Sequence, residues 1–371
     1  MPSIFFYISG HGFGHASRDI EVINTLGRAH PDLAIVVRTS VPRRLLDATI
    51  RVPVTIVEGP CDTGVVQIDS LRLDVAATIA RAAEFYRTLD ARADAEAEML
   101  RRHDARLVVA DAPPLACAAA ARAGIPSAVL ANFTWDWIYR GYAREVQSVP
   151  ELIRAIRDAY GSAGAAWRLP MHGGFETFER ILDIPFIARP GRADLTRDDI
   201  RRMLGVPDDR PLALLSFGGF GLSGLPFDTL DCLDEFAVVL AEPAPAIAGL
   251  PPSIAGIDER RLHANGLGYE DLVRAVDVVV TKPGYGIISD CIAGETAMLY
   301  TSRGRFLEYD VLVREMPRYL RCAFIGQEDL LAGRWRDALR HVMSVPSAPE
   351  RARIDGATTV VRLIEAEIGT T

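Results

Sequence analysis

Two doubly wound α/β domains facing a central cleft are the fold that this sequence predicts, and three observations carry the prediction. The 371 residues exceed the usual size of one domain. Short, continuous apolar runs alternate with helical patterns, which marks a parallel sheet covered on both faces. After a polar, proline-punctuated stretch at 189–211 the alternation starts again. On this reading residues 1–190 form the first domain and 191–348 the second, while 349–371 form a C-terminal helix expected to pack back on the first domain.

The first strand, Ser3 to Ser9, runs into Gly10-His11-Gly12-Phe13-Gly14-His15 and then a helix. Strands follow at Leu33 to Thr39 and Val54 to Glu58. Ala76 to His103 carries one long helical pattern, rich in Ala, Arg and Glu and free of Pro and Gly. Strands at Leu107 to Asp111 and Ser127 to Asn132 flank the small-residue helix LACAAAARAG, which Gly124 should stop. In the second half RPLALLSFGGFGLSG (210–224) is a strand ending in a glycine loop. FAVVLAE, DVVVTKPGYG and TAMLYTS are further strands separated by helices, and Pro349 to Ile368 reads as the last helix. Ligands of such sheets bind where strand C-termini meet.

Composition narrows the classes. No apolar run approaches 18 residues, so no membrane span is expected, and the N-terminus lacks the features of a signal peptide, which points to the cytoplasm. The five cysteines (Cys61, Cys117, Cys232, Cys291, Cys322) are widely spaced and odd in number, suggesting neither a zinc site nor a disulfide framework. A net charge of -8 argues against nucleic acid as the main partner. Among 41 basic residues Lys282 is the one lysine.

Two glycine loops carry the chemistry. The first opens a helix, where unpaired N–H groups and the dipole favour an anion. It fails the dinucleotide fingerprint, because His15 stands where the third glycine belongs and Arg38-Thr39 where the ribose acid belongs. A tight turn needing glycine only for packing is the plain structural alternative. The glycines also disfavour a His11/His15 metal pair, which needs an established helix. Asp111 ends its strand at the cleft, where a neighbouring strand can bring it to His15; an Asp that orients an imidazole makes it an effective base. Capping of the next helix is the alternative for Asp111. The second loop sets Lys282, Gly284 and Gly286 at a helix start directly after a strand, an environment shaped for a diphosphate, with Asp290 a turn further on. Gly218 and Gly219 form the second domain's first turn. The Walker pattern is absent, and so is any D-x-D pair that would hold a divalent metal.

GHGFGHASRDIEV, VVADAPPLACAAAARAGIPSAVLANFTWDWIY, WRLPMHGGFETFERILDIPFIAR, LSFGG, TKPGYGIISDCIAGETAMLY and EDLLAGRW together resemble the N-terminal, glycosyltransferase-like region of L-arabinokinases over nearly the whole chain. More remotely the layout resembles MurG, the galactolipid synthases and the UDP-glycosyltransferases, all of GT-B fold. The chain ends without the sugar-kinase domain of the arabinokinases, so phosphotransfer is not expected of it. The resemblance implies His15 as the base for an acceptor hydroxyl and Asp111 as its partner. It implies the Gly284-Tyr285-Gly286 turn at the donor diphosphate, with Ser289 and Asp290 at the ribose and Glu308 and Tyr309 at the donor sugar; Gly12, Gly14, Gly218, Gly219 and Lys282 are nucleotide-sugar candidates from the reading of the glycine loops. Asp290 is a methylene shorter than the usual acid, and Tyr309 replaces the usual Gln. His11, Phe13, Trp135 and Trp137 are candidates for the acceptor, although the aromatics of NFTWDWIYRGY can equally pack their own domain.

The expected function is metal-independent, inverting glycosyl transfer without a cofactor, from a nucleoside-diphosphate sugar, UDP-linked by first choice, to a small-molecule or glycan acceptor. A non-catalytic nucleotide-sugar binding module is the alternative, since the arabinokinases carry this region as an appendage to a kinase. An epimerase or hydrolase on the same fold would need acids flanking the sugar, and Glu308 is a single candidate.

Overall fold

The computed structural model describes residues 2–143, 149–207, 209–218, 225–241 and 250–369. Strands β1 (Ser3–Ile8), β2 (Ala34–Thr39), β3 (Thr55–Glu58), β6 (Ala105–Asp111), β7 (Ser127–Phe133), β8 (Ala165–Gly173) and β9 (Ile181–Asp183) form a parallel sheet in the order β3-β2-β1-β6-β7-β8-β9. A two-stranded antiparallel hairpin, β4 (Val66–Gln67) with β5 (Leu73–Asp74), stands apart. The second sheet, also parallel, runs β12-β11-β10-β13-β14-β15, from β10 (Leu212–Leu215), β11 (Ala237–Leu240), β12 (Ile254–Gly256), β13 (Val278–Thr281), β14 (Ala297–Tyr300) and β15 (Cys322–Phe324).

Strand β1 shows why the apolar runs are continuous. Its odd and even side chains enter different cores: Phe5 and Tyr7 pack with Val108, Ala116 and Val129, whereas Ile4, Phe6 and Ile8 pack with Ile23, Leu26 and Val109. A strand covered on both faces has no polar side to show. In each sheet the strand order reverses beside the first strand, between β1 and β6 and between β10 and β13. These switch points leave an open crevice at the strand C-termini. The loops after β1, β6 and β13 end there.

Three expectations are corrected. The helical pattern from Ala76 to His103 is two helices, Val75–Arg87 and Leu89–Arg102, because the Thr88 hydroxyl donates back to the Phe85 carbonyl at 3.0 Å and its backbone leaves the helical region. The last helix starts at Gly356 instead of near Pro349. The preceding residues run back to the first domain, where the Phe186 N–H donates to Arg353 O and the Gly356 N–H to Phe186 O, both at 3.0 Å. A Cβ at Gly356 would lie 2.4 Å from Pro185 O, so this crossing admits only glycine. From there Val360, Val361 and Ile364 enter the core beside Ile23 and Leu26. Strands β8, β9, β12 and β15 were not anticipated. The longest of them, β8, contains Pro170 and Arg168, and the rest are three residues long, too short to show a pattern.

The hairpin β4–β5 joins the two halves. Ser70 Oγ donates to Phe217 O at 3.0 Å, Leu71 is buried with Leu215, Phe217 and Trp335 of the second sheet's core, and a Cβ at Gly304 would lie 2.6 Å from Leu71 O. Among the described residues no helix is long and apolar enough to cross a membrane.

Candidate functional site

Gly12 takes a φ of 77°, open to glycine at no steric cost, and so turns the chain from β1 into the helix Phe13–Ala29. His15 lies on its first turn. Asp111, the last residue of β6, is in register with Ile8 at the end of β1, so the parallel pairing itself delivers the carboxylate to the loop. His15 Nδ1 lies 2.9 Å from Asp111 Oδ1, and both side chains are almost wholly buried.

A third group shares this aspartate. Arg18, one turn after His15, donates from Nε to Asp111 Oδ2 at 2.8 Å and from Nη2 to Oδ1, while its Nη1 reaches Asn132 Oδ1 at the end of β7. Arg18 Nη2 also stands 2.9 Å from His15 Nδ1. Burial alone would raise the Asp111 carboxyl, but the charge of Arg18, followed by that of His15, holds it well below the usual carboxylate range. The carboxylate is therefore ionised and aimed. In the neutral tautomer that donates Nδ1–H to Asp111, the lone pair of His15 lies on Nε2, where it can take a proton.

The wall of this loop is polar and aromatic. Phe133 meets the His15 ring edge-on at 5.5 Å. Asp62 accepts from Ser9 Oγ at 3.0 Å and from Trp135 Nε1 at 2.9 Å, and burial pushes its carboxyl up to about 6. His11 is held by Ser9, and burial together with the charge of His15 pushes it down to about 3, so it is neutral at any working pH.

Across the cleft, β13 ends in Thr281 and leads through Lys282 to the helix Tyr285–Gly294. A Cβ at Gly286 would lie 3.3 Å from Gly14 Cα, so the N-terminal turns of the two helices meet through these glycines. Two positive dipole ends thus converge on one place. Lys282 makes no ion pair among the described residues, and burial, reinforced by the charge of Arg303, pushes its ammonium down to about 7. The Tyr285 ring faces Phe133 of the first domain at 6.0 Å, and its buried hydroxyl has no partner among the described residues.

The remaining expected residues divide. Ser289 and Asp290 line a cleft with Gly14, Arg18, Asn132 and Tyr285, but both carboxylate oxygens of Asp290 are engaged by Arg189 from the connecting stretch, Nε–Oδ1 being 3.3 Å. Glu308 is buried against Arg303, Oε1–Nη1 3.1 Å, and Tyr309 packs on the first domain's core. Gly218 has a φ of 72°. Trp135 departs from the expectation of a stacking platform: it is 1% exposed, lies 5.4 Å from Tyr139 in a stacked pair, and spends its N–H on Asp62. Trp137 is partly buried, its ring filling the space a Cβ of Gly173 would need, 2.4 Å away. Gly219 and the side chain of Phe13 lie outside the described residues.

Sequence reasoning missed Arg18, Asn132, Asp62, Arg189 and Arg303. Arg18 alone had a signal, its spacing of three from His15 on one helix face. The others reach the site from loops and strand ends distant in sequence.

No protein-family model matches the chain. It is 30% identical over 374 residues to the L-arabinokinase of Arabidopsis thaliana, an alignment covering 98% of this chain and 34% of that protein, so the chain spans about a third of its relative's length. Three solved structures share the fold. The calicheamicin glycosyltransferase CalG4 superposes with a TM-score of 0.63 at 17% identity over 99% of this chain and 98% of its own. Phytolacca americana UGT2, complexed with UDP-2-fluoro-glucose and pterostilbene, does so with a TM-score of 0.58 at 11% identity, over 100% and 94%. MurG of Acinetobacter baumannii gives a TM-score of 0.54 at 12% identity, over 98% and 99%. The fold is GT-B, and the resemblance read from the motifs agrees with these likenesses.

Proposed function

We propose that the chain is a glycosyltransferase that moves a sugar from a nucleoside diphosphate to an acceptor hydroxyl with inversion at the anomeric carbon. One observation carries this reading: an oriented histidine–aspartate pair faces, across the cleft, a cationic helix start that suits a diphosphate. UGT2, with the same fold, binds a UDP-sugar analogue and pterostilbene together, which supports a donor and an acceptor meeting in such a cleft.

In the proposed reaction His15 Nε2 takes the proton of the acceptor hydroxyl as its oxygen attacks the anomeric carbon. The bond from that carbon to the diphosphate oxygen breaks, and its electron pair leaves with the nucleoside diphosphate. Asp111 keeps Nδ1–H of His15 donated and stabilises the imidazolium that forms. Negative charge grows on the leaving group, where the N–H groups at the start of the helix Tyr285–Gly294 and the Lys282 ammonium are already in place. In the absence of a D-x-D pair, neutralisation of the diphosphate is assigned to these groups, and uridine diphosphate is the first donor nucleotide to test.

Calorimetry with nucleoside diphosphates in EDTA tests the binding half; loss of binding on chelation would refute the metal-independent reading. A panel of nucleotide sugars and acceptors, followed by nucleoside diphosphate release, tests the catalytic half. Tight binding without turnover across the panel would establish a binding module instead.

A further inference from the structure

Arg303 lies in the loop after β14 and belongs to no motif of the sequence. Its side chain is 10% exposed. It is pinned on two sides, 3.7 Å over the Phe306 ring and 3.1 Å from Glu308 Oε1 through Nη1. Its Nε–H, buried as well, has no acceptor among the described residues.

The surroundings carry an excess of positive charge. Strands β13 and β14 end side by side, Thr281 in register with Tyr300 and the Thr301 N–H donating to Thr281 O at 3.1 Å, so Lys282 and Arg303 leave adjacent strand ends, and Arg303 acts electrostatically on both Lys282 and His11. His11 is neutral there, and the Lys282 ammonium makes no ion pair among the described residues. Glu308 is the one carboxylate paired with Arg303. Two cations shielded from solvent repel each other although Glu308 and Asp69 offset part of their charge, and a buried N–H without an acceptor among the described residues costs further free energy. A dianion entering between them relieves both. Lys282 leads directly into the helix start at Gly284 and Tyr285, and the hairpin tip packs on the loop of Arg303, since a Cβ at Gly304, the next residue, would lie 2.6 Å from Leu71 O.

We propose that Arg303 is a second cation of the nucleotide site, placed with Lys282 to hold the donor's diphosphate, and that Glu308 is a positioning residue that aims Arg303 and does not contact the donor sugar. This rests on the nucleotide-sugar reading of the cleft. It also accounts for Tyr309, whose packing on the first domain removes it from the sugar pair that the motif implies.

The test is calorimetry of uridine diphosphate, uridine monophosphate and uridine with the full chain and with Arg303→Met, Arg303→Lys and Glu308→Gln, thermal unfolding being checked in each. Arg303→Met is expected to weaken the diphosphate by roughly 10- to 100-fold, the monophosphate by less and uridine not at all. Arg303→Lys should recover part of the loss. Glu308→Gln should weaken the diphosphate in the presence of Arg303 and have no effect in the Arg303→Met background. Unchanged diphosphate affinity in a folded Arg303→Met protein would overturn the proposal, as would an equal loss for all three ligands. If the unmodified chain binds no nucleoside diphosphate of any base, the nucleotide-sugar reading itself fails; binding that survives Arg303→Met refutes only the role of Arg303.

Discussion

The two glycine loops have the same architecture, strand then glycine turn then helix start, yet the pairing of their side chains differs. Around the first, the histidine–aspartate pair is tied into a network: Asp111 is shared by His15 and Arg18, Arg18 extends to Asn132, and Asn132 donates to Pro170 O at 2.6 Å; beside it the Asp19 carboxyl is buried without a hydrogen-bond partner among the described residues, and burial pushes it well up. Around the second, among the described residues, Lys282 makes no ion pair, Arg303 keeps an orphaned N–H, and the Tyr285 hydroxyl is buried with no partner. A histidine held by an ionised, Arg-paired carboxylate is preorganised, which suits a proton-transfer device. An under-neutralised cationic pocket is complete only with an anion in it. The contrast separates the two halves of the proposed reaction by physical state as well as by place.

The comparison is broken most directly at His15. His15→Ala should lower transfer by roughly 10²- to 10⁴-fold, the usual worth of positioned proton transfer, and leave nucleoside diphosphate affinity nearly unchanged. Kinetics and calorimetry on the same variant give both numbers, and full activity would end the catalytic assignment. Arg18→Met attacks the first loop through stability. It leaves the buried Asp111 carboxylate short of its main counter-charge, a loss of about 3–5 kcal/mol in denaturant unfolding. A change within measurement error would mean that Asp111 does not depend on Arg18.

The second loop should respond in affinity and hardly in stability. Lys282→Ala is expected to weaken nucleoside diphosphate binding by about 1–3 kcal/mol, the worth of a charge-assisted hydrogen bond. pH sharpens the same point. Lys282 is held near 7 in the free protein, so above that pH it is neutral and must take up a proton as the dianion binds. Affinity should then fall with rising pH from about 7, by at most tenfold per unit, with proton uptake visible as a dependence of the binding heat on the buffer. Affinity flat from pH 7 to 9 would place Lys282 outside the anion site. The smallest effect is expected at the seam between the loops: Gly286→Ala sets a methyl 3.3 Å from Gly14 Cα and should cost about 1 kcal/mol in thermal or denaturant unfolding.

Much of the architecture was legible because it is written in local patterns. Continuous apolar strands such as FFYI and VVVT, the restart after residue 210, Gly124 in the left-handed region at a helix end and the glycine turn before His15 are each decided within a few residues. His15 and Asp111 could be paired in advance because, in a doubly wound sheet, adjacent strand ends deliver their side chains to one crevice. The motifs pointed to the cleft for the same reason.

What the sequence by itself determined, then, is the succession of strands and helices, the two glycine turns and which residues stand at strand ends, since steric preference and hydrophobic period act over short stretches of chain. Only the tertiary structure decided how the charges are shared. Arg18 claims half of Asp111, Arg189 crosses from the connecting stretch to occupy Asp290, Glu308 turns to Arg303, and Trp135 spends its N–H on Asp62. Such pairings join residues up to about a hundred positions apart, and they depend on burial, which sets the strength of every one of them and exists only once both sheets have closed on their cores.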